Sequence, residues 1–224
     1  MLLQSKLLNQ FSELVHGFTT RELGDDISKI AKELDVSEEK IVTVKQIHSN
    51  RVLVFPFLKN SEADAMSTHQ SGLFIGIRTA DCVPLLIYDP QKKVCAAVHA
   101  GWRGLIGGVI ENTIQQLCQE LSSHPKSLVV ALGPALCPGC FEIGPEVKDR
   151  FVEKFGTRLI ISSGETDRSF LDLREACRLV LLDAGVLGEN IEHLSYCNFC
   201  QPDLFYSYRR GDKLGRQLAL IGLK

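Results

Sequence analysis

Cys82, His99 and His48 are the side chains whose types and surroundings point most directly to chemistry. Cys82 lies just before the apolar run Pro84–Tyr88, and His99 lies just after the apolar run Val94–Val98. Asp89-Pro90 and two lysines separate the runs, a turn signal that makes them adjacent strands. In an antiparallel pair the start of one strand and the end of the next share an edge of the sheet, which brings Cys82 and His99 together. His48 follows a third apolar run, Ile41–Val44, in IVTVKQIHSNRV. One thiolate and two imidazoles form a three-ligand set for zinc with its fourth position open, the pattern of a catalytic metal. Beside His99, Gly101-Trp102-Arg103-Gly104 opens a helix, and a glycine-flanked turn into a helix start offers N–H groups to an anion. The bland alternative is a tight strand-to-helix turn. Trp102, the single tryptophan, either stacks on a ligand or caps the core.

The elements that position these residues follow from patterning. Ile27, Ile30, Ala31 and Leu34 have the spacing of a short amphipathic helix, and Ile41–Val44 with Arg51–Phe55 form a hairpin or a sharp strand exit around His48. Residues 56–72 are polar and predict loop, with an ordered piece at ADAM, 63–66. Leu73–Arg78 predicts a strand. A helix carries Ile106, Ile110, Thr113, Ile114, Leu117 and Leu121 on one face. Leu128–Leu132 is a buried strand, Pro145 opens a helix through Val147, Phe151 and Phe155, and Arg158–Ile161 is a strand. Asp172 with Glu175 marks a capping box before a helix bearing Ala176, Leu179, Val180 and Leu182. Ile191–Tyr196, Leu204–Tyr208 and Gln217–Leu223 complete the strands. Helices and strands mix without strict alternation, which predicts one layered α/β or α+β domain over 1–224 with a mixed sheet.

Composition narrows the function. A hydrophobic share of 45%, a charged share of 23% and a formal charge of −2 describe a globular chain with no electrostatic pull toward nucleic acid. No apolar run reaches membrane-spanning length, and MLLQSKLLNQFSELV lacks the continuous apolar core of a secretory signal, so a cytoplasmic protein is expected. In that reducing compartment Cys95, Cys118 and Cys177 are buried small hydrophobes. The remaining cysteines fall in CPGC at 137–140 and CNFC at 197–200, which together offer four thiolates despite the long gap. They define a second reading, a zinc-stabilised interaction module without catalysis, or a redox pair. The sequence sets no oligomeric state.

Seven stretches resemble the YfiH/laccase-domain family, described as multi-substrate purine nucleoside phosphorylases and earlier as polyphenol oxidases. They are HGFTTR at 16–21, QIHSNRV at 46–52, ADA at 63–65, TADCVPLLIYDP at 79–90, VHAGWRG at 98–104, GPALCPGCFEIGPEV at 133–147 and LFYSYRRGDKLGRQ at 204–217. The resemblance implies a single-domain αββα layered fold and metal ligation by His48, Cys82 and His99. It implies phosphorolysis of adenosine, inosine, guanosine and methylthioadenosine, with adenosine deamination. Purine nucleosides and phosphate are then the partners, with no nucleic acid or membrane. Phosphate calls for cationic or N–H donors, for which Arg21, Arg103 and the backbone of Gly101–Gly104 are the candidates. Asp81 orients a histidine, moves a proton or fixes a local turn. Relatives have also been linked to copper-dependent phenol oxidation and to peptidoglycan-precursor editing. Copper is the weaker cofactor here, because a laccase needs several coppers and the six histidines are scattered. The chain departs from the family by a shortened loop between Arg21 and Gly24, and by spacing Cys137 from Cys140.

Overall fold

In the computed structural model, which describes residues 1–58, 60–162 and 168–224, the strand pair flanking the proposed ligands forms as its turn predicts. Val83–Asp89 runs antiparallel to Val94–Ala100, with Pro84 opposite His99 and Tyr88 opposite Cys95. The Asp89 carboxylate accepts backbone hydrogen bonds from Gln91 and Lys92 and so fastens the turn. Every residue of both strands is buried. Continuous apolar runs are what strands covered on both faces require.

Both strands belong to a six-stranded sheet ordered Ile191–His193, Val129–Leu132, Val83–Asp89, Val94–Ala100, Ala65–Thr68, Val52–Val54. A five-stranded sheet, ordered Leu2–Leu3, Leu14–Thr19, Gln217–Leu223, Phe74–Thr79, Ile41–Thr43, packs against it. Alternation along each strand sorts the side chains. Ile75, Ile77 and Ile221 from one sheet meet Leu86, Tyr88 and Ala97 from the other in a shared core. On the far side of the five-stranded sheet, helix Ile27–Leu34 lays Ile30 and Ala31 against Leu218 and Leu220. On the far side of the six-stranded sheet, helices Val109–Glu120, Pro145–Phe155 and Leu173–Asp183 cover Leu85, Ile87, Ala96 and Val98. The order of layers is therefore helix, sheet, sheet, helix, a mixed α/β fold. A small three-stranded sheet, Glu142–Ile143, Ser169–Leu171, Ile160–Ser162, lies beside it. Among the described residues no helix is long and apolar enough to cross a membrane.

Several expectations need correction. Residues 56–72 are not all loop, because Ala65–Thr68 is a fully buried strand paired with both Val94–Ala100 and Val52–Val54. Its short length and its serine and threonine hid it. Ile41–Thr43 and Val52–Val54 form no hairpin, since each joins a different sheet, and His48 sits where the chain crosses between them. The helix after Trp102 is two helices, Trp102–Ile106 and Val109–Glu120, divided at Gly107-Gly108, where Gly108 adopts φ 89°. Leu204–Tyr208 is not a strand but irregular backbone between turns. Of Ile191–Tyr196, only Ile191–His193 pairs, parallel to Val130–Leu132.

His16, within the strand Leu14–Thr19, is buried and accepts a hydrogen bond at Nε2 from the Ser5 backbone, 3.0 Å away. Burial holds its pKa down at about 4. The unfolded imidazole takes up a proton near its ordinary value, so this group's stability contribution is complete above about pH 6.5 and is lost as pH falls toward 4. The full loss is on the order of 3 kcal/mol. Replacing His16 with Gln, which keeps an acceptor for Ser5, should flatten urea-denaturation stability between pH 6.5 and 4 relative to the parent. A variant profile as steep as the parent's would place the proton elsewhere.

Candidate metal centre and cleft

Asp64, fully buried just ahead of strand Ala65–Thr68, organises the site. A carboxylate without water must be answered by donors, and five converge on this one. The backbone amides of Ile47, His48 and Ser49 donate to it at 3.2, 3.0 and 2.6 Å, and the Ser49 hydroxyl at 2.8 Å. His99 Nδ1 lies 2.8 Å from Asp64 Oδ1. Burial alone would raise the Asp64 pKa, but the bonds from His99 and Ser49 outweigh it and hold the acid at about 2. Because Nδ1 donates to Asp64, Nε2 is the His99 atom left for a metal. The same carboxylate thus orients one histidine and folds the loop carrying the other.

His48, Cys82 and His99 bring one ligand atom each into a group whose members lie within 4.8 Å of one another. The two rings meet edge to face, centroids 4.8 Å apart. His48 adopts φ 57°. Burial and the neighbouring His99 lower its pKa, which favours the neutral imidazole a metal needs. At His99 burial opposes protonation, yet Cys82 and Asp64 outweigh it and raise the pKa to about 9. Gly101 closes the cradle. A Cβ there would stand 2.8 Å from His48 Nδ1 and 3.1 Å from Cys82 Sγ, so a bare backbone is what lets both ligands approach. Two imidazoles and a thiolate with an oriented second nitrogen fit zinc.

The group opens into a cleft of about 720 Å³. Its walls carry Arg78, Arg103, Arg209 and Arg216 together with Trp102, Phe141 and Tyr208. Asp25, delivered by the tight turn after Arg21, pairs with Arg78 at 2.8 Å. Arg103 stacks on Trp102 with its guanidinium carbon 4.3 Å from the ring centroid. Arg209 lies over Phe141, and its backbone N–H donates to Asp81 Oδ2 at 2.7 Å. The cleft lining thus interleaves cations with aromatic rings.

Cys82, His99, His48, Asp81, Trp102 and Arg103 all meet at this cleft. Arg21 does not line it. Its guanidinium bonds to Phe205 O and Asp212 and stacks on Tyr206, and is thereby committed to holding the turns at 205–212. Gly101 contributes space beside His48 and Cys82, and the helix it begins is only five residues long. Asp81 adopts φ 91° and does not touch the histidines, since Asp64 orients His99. Burial raises the Asp81 pKa, and its Oδ1 has no partner among the described residues. Sequence reasoning missed Asp64 as well as Arg78, Arg216 and Phe141. A lone acid between Ala63 and Ala65-Met66 was the available signal, since a carboxylate in an apolar patch must find donors.

A family model described as "Multi-copper polyphenol oxidoreductase laccase" matches residues 16–224. The chain belongs to this laccase-domain family. It is 34% identical over 208 residues to "Adenosine deaminase RL5" from an unknown prokaryotic organism, covering 84% of this chain and 79% of that one. It is also 34% identical over 189 residues to "Purine nucleoside phosphorylase YfiH" of Escherichia coli (strain K12), covering 82% of this chain and 74% of that one. A solved structure of the hypothetical protein YfiH from Bacillus licheniformis superposes with a TM-score of 0.90 at 26% identity, over 100% of this chain and 96% of that one.

If Asp64 sets both histidines, Asp64→Asn should lower metal affinity roughly tenfold to a hundredfold. Gly101→Ala should do the same by crowding His48 and Cys82. Competition titration against a chromophoric chelator checks both, and unchanged affinity in Asp64→Asn would show that the ligands hold themselves.

Proposed function

We propose that this protein is a zinc-dependent purine nucleoside phosphorylase that accepts adenosine, inosine, guanosine and methylthioadenosine and also deaminates adenosine. The observation that carries the reading is a His48/Cys82/His99 group at a cleft walled by arginines and aromatic rings. The relatives' names, one a phosphorylase and one a deaminase, support the same pair of reactions. A zinc held by these three residues supplies a Lewis acid in a site with an open position.

In phosphorolysis a phosphate oxygen forms a bond to ribose C1′ while the C1′–N9 bond breaks, and the purine leaves with the electron pair. Arg103, Arg209 and Arg216 are the cations on the wall that hold the incoming phosphate. Trp102, Phe141 and Tyr208 offer ring faces to the base. Asp81, with a pKa raised by burial, is the wall's carboxyl for holding a proton destined for the departing purine. In deamination, water adds at C6 of adenine and ammonia leaves. Phenol oxidation by several coppers fits less well, because only one of the two metal-competent groups among the described residues contains histidine. We place the enzyme in the cytoplasm, a reading supported by eight free cysteines.

Incubation of the zinc-loaded protein with adenosine should release adenine and ribose 1-phosphate only when phosphate is present, and inosine with or without it. Cys82→Ala should abolish both products while the circular-dichroism spectrum is retained. Turnover undiminished in Cys82→Ala would sink the reading. Arg103→Ala should raise the KM for phosphate about tenfold to a hundredfold, the loss of one charge-assisted hydrogen bond of roughly 1.5–3 kcal/mol.

A further inference from the structure

Away from the cleft's ligands, a second group of donors is assembled from two distant parts of the chain. Cys137 precedes the short 3-10 turn Pro138–Cys140, which Cys140 ends, and Cys197 and Cys200 bracket a turn after the strand Ile191–His193. Their four sulfurs lie within 4.8 Å of one another. Cys137 Sγ is 4.0 Å and Cys140 Sγ 3.4 Å from Cys200 Sγ. A tetrahedral zinc with bonds of about 2.3 Å sets its sulfurs about 3.8 Å apart, so these spacings bracket the requirement. All four cysteines are free thiols.

The surroundings are built for thiolates. The Cys137 backbone N–H donates to Cys197 Sγ at 3.3 Å. Residues 135 and 197 form an isolated parallel bridge, which sets the two segments side by side before any metal enters. Arg174, buried beneath them, donates to the carbonyls of Ala135 and Tyr196, and its charge lies within electrostatic reach of Cys197, Cys137 and Cys200. Zinc with four thiolates carries a net charge of −2, and a buried guanidinium offsets it.

We infer that Cys137, Cys140, Cys197 and Cys200 bind a second, structural zinc that ties the segment bearing the cleft residues Leu136 and Phe141 to the turn at 197–200, against which Arg210 holds the stretch bearing Tyr208 and Arg209. Binding replaces four thiol protons with four Zn–S bonds and needs no oxidant. Leu136 and Phe141, which line the cleft, are the immediate neighbours of Cys137 and Cys140. On the other segment Arg210 donates to the carbonyls of Asn198 at 2.7 Å and Phe199 at 3.1 Å, holding the Cys197–Cys200 turn to the stretch that bears Tyr208 and Arg209. Arg209 in turn donates to Glu142 O at 2.9 Å. Both segments are thereby fastened within a few residues of a sulfur.

The test is metal stoichiometry of the full chain purified under reducing conditions, read by mass spectrometry of the elements, with cobalt spectra as a second readout. The parent should hold about two zinc ions, and Cys82→Ser and the double variant Cys137→Ser/Cys200→Ser about one each. Cobalt in the parent and in Cys82→Ser should show the intense thiolate charge-transfer absorption of a four-sulfur site, and the double variant should lose it. Hydrogen exchange in segments 133–144 and 196–210 should quicken roughly tenfold in the double variant, without reference to any substrate. About one zinc in the parent that disappears in Cys82→Ser, iron in place of zinc, or disulfides within either pair would each overturn the inference. These outcomes are independent of nucleoside turnover, so failure here and failure of the phosphorylase reading can be told apart.

Discussion

One buried carboxylate holds the His48, Cys82 and His99 group in place. Asp64 takes three backbone N–H groups, a hydroxyl and an imidazole into a space that excludes solvent. Its ionised form survives burial only because all of those donors arrive together. The same requirement bends the chain at 47–49 into the shape that carries His48, with its left-handed backbone, toward Cys82. Removing the carboxylate would leave several amides unanswered as well as one histidine unaligned.

Around that anchor the two sheets do complementary work. The six-stranded sheet supplies His99 and, just ahead of Ala65, Asp64 itself. The chain enters it from the five-stranded sheet twice, once past His48 and once past Cys82. Each crossing is a place where regular pairing stops and side chains turn toward solvent. His48 and Cys82 sit at these crossings and His99 near the end of its strand, where side chains can face a cleft while the backbone behind them stays paired.

Much of this was legible in residue order. The strand pair around Asp89-Pro90 gave the Cys82–His99 proximity through pairing geometry alone, and apolar spacing gave helices Ile27–Leu34 and Leu173–Asp183, the latter with its Asp172 cap on the Glu175 amide. What stayed hidden depends on distant contacts. Ala65–Thr68 carries too little apolar patterning to announce a strand, and only the neighbours at Val94–Ala100 and Val52–Val54 make it one. The stretch 204–208 imitates a strand locally, yet Arg21 and Arg210 converging on Asp212 impose another shape. Arg21 itself looked like a free cation because its carboxylate partner lies far along the chain.

Gly101 adds one more implication. A side chain at this position would enter the space where His48 and Cys82 converge, so the distance between the ligands is set by an atom that is absent rather than by one that pushes. Such a spacing cannot be tuned in small steps, because the smallest possible side chain already reaches 2.8 Å from an imidazole nitrogen. In this chain the cleft walls, lined by arginines and aromatic rings, are where side chains can be exchanged without entering the space between His48 and Cys82.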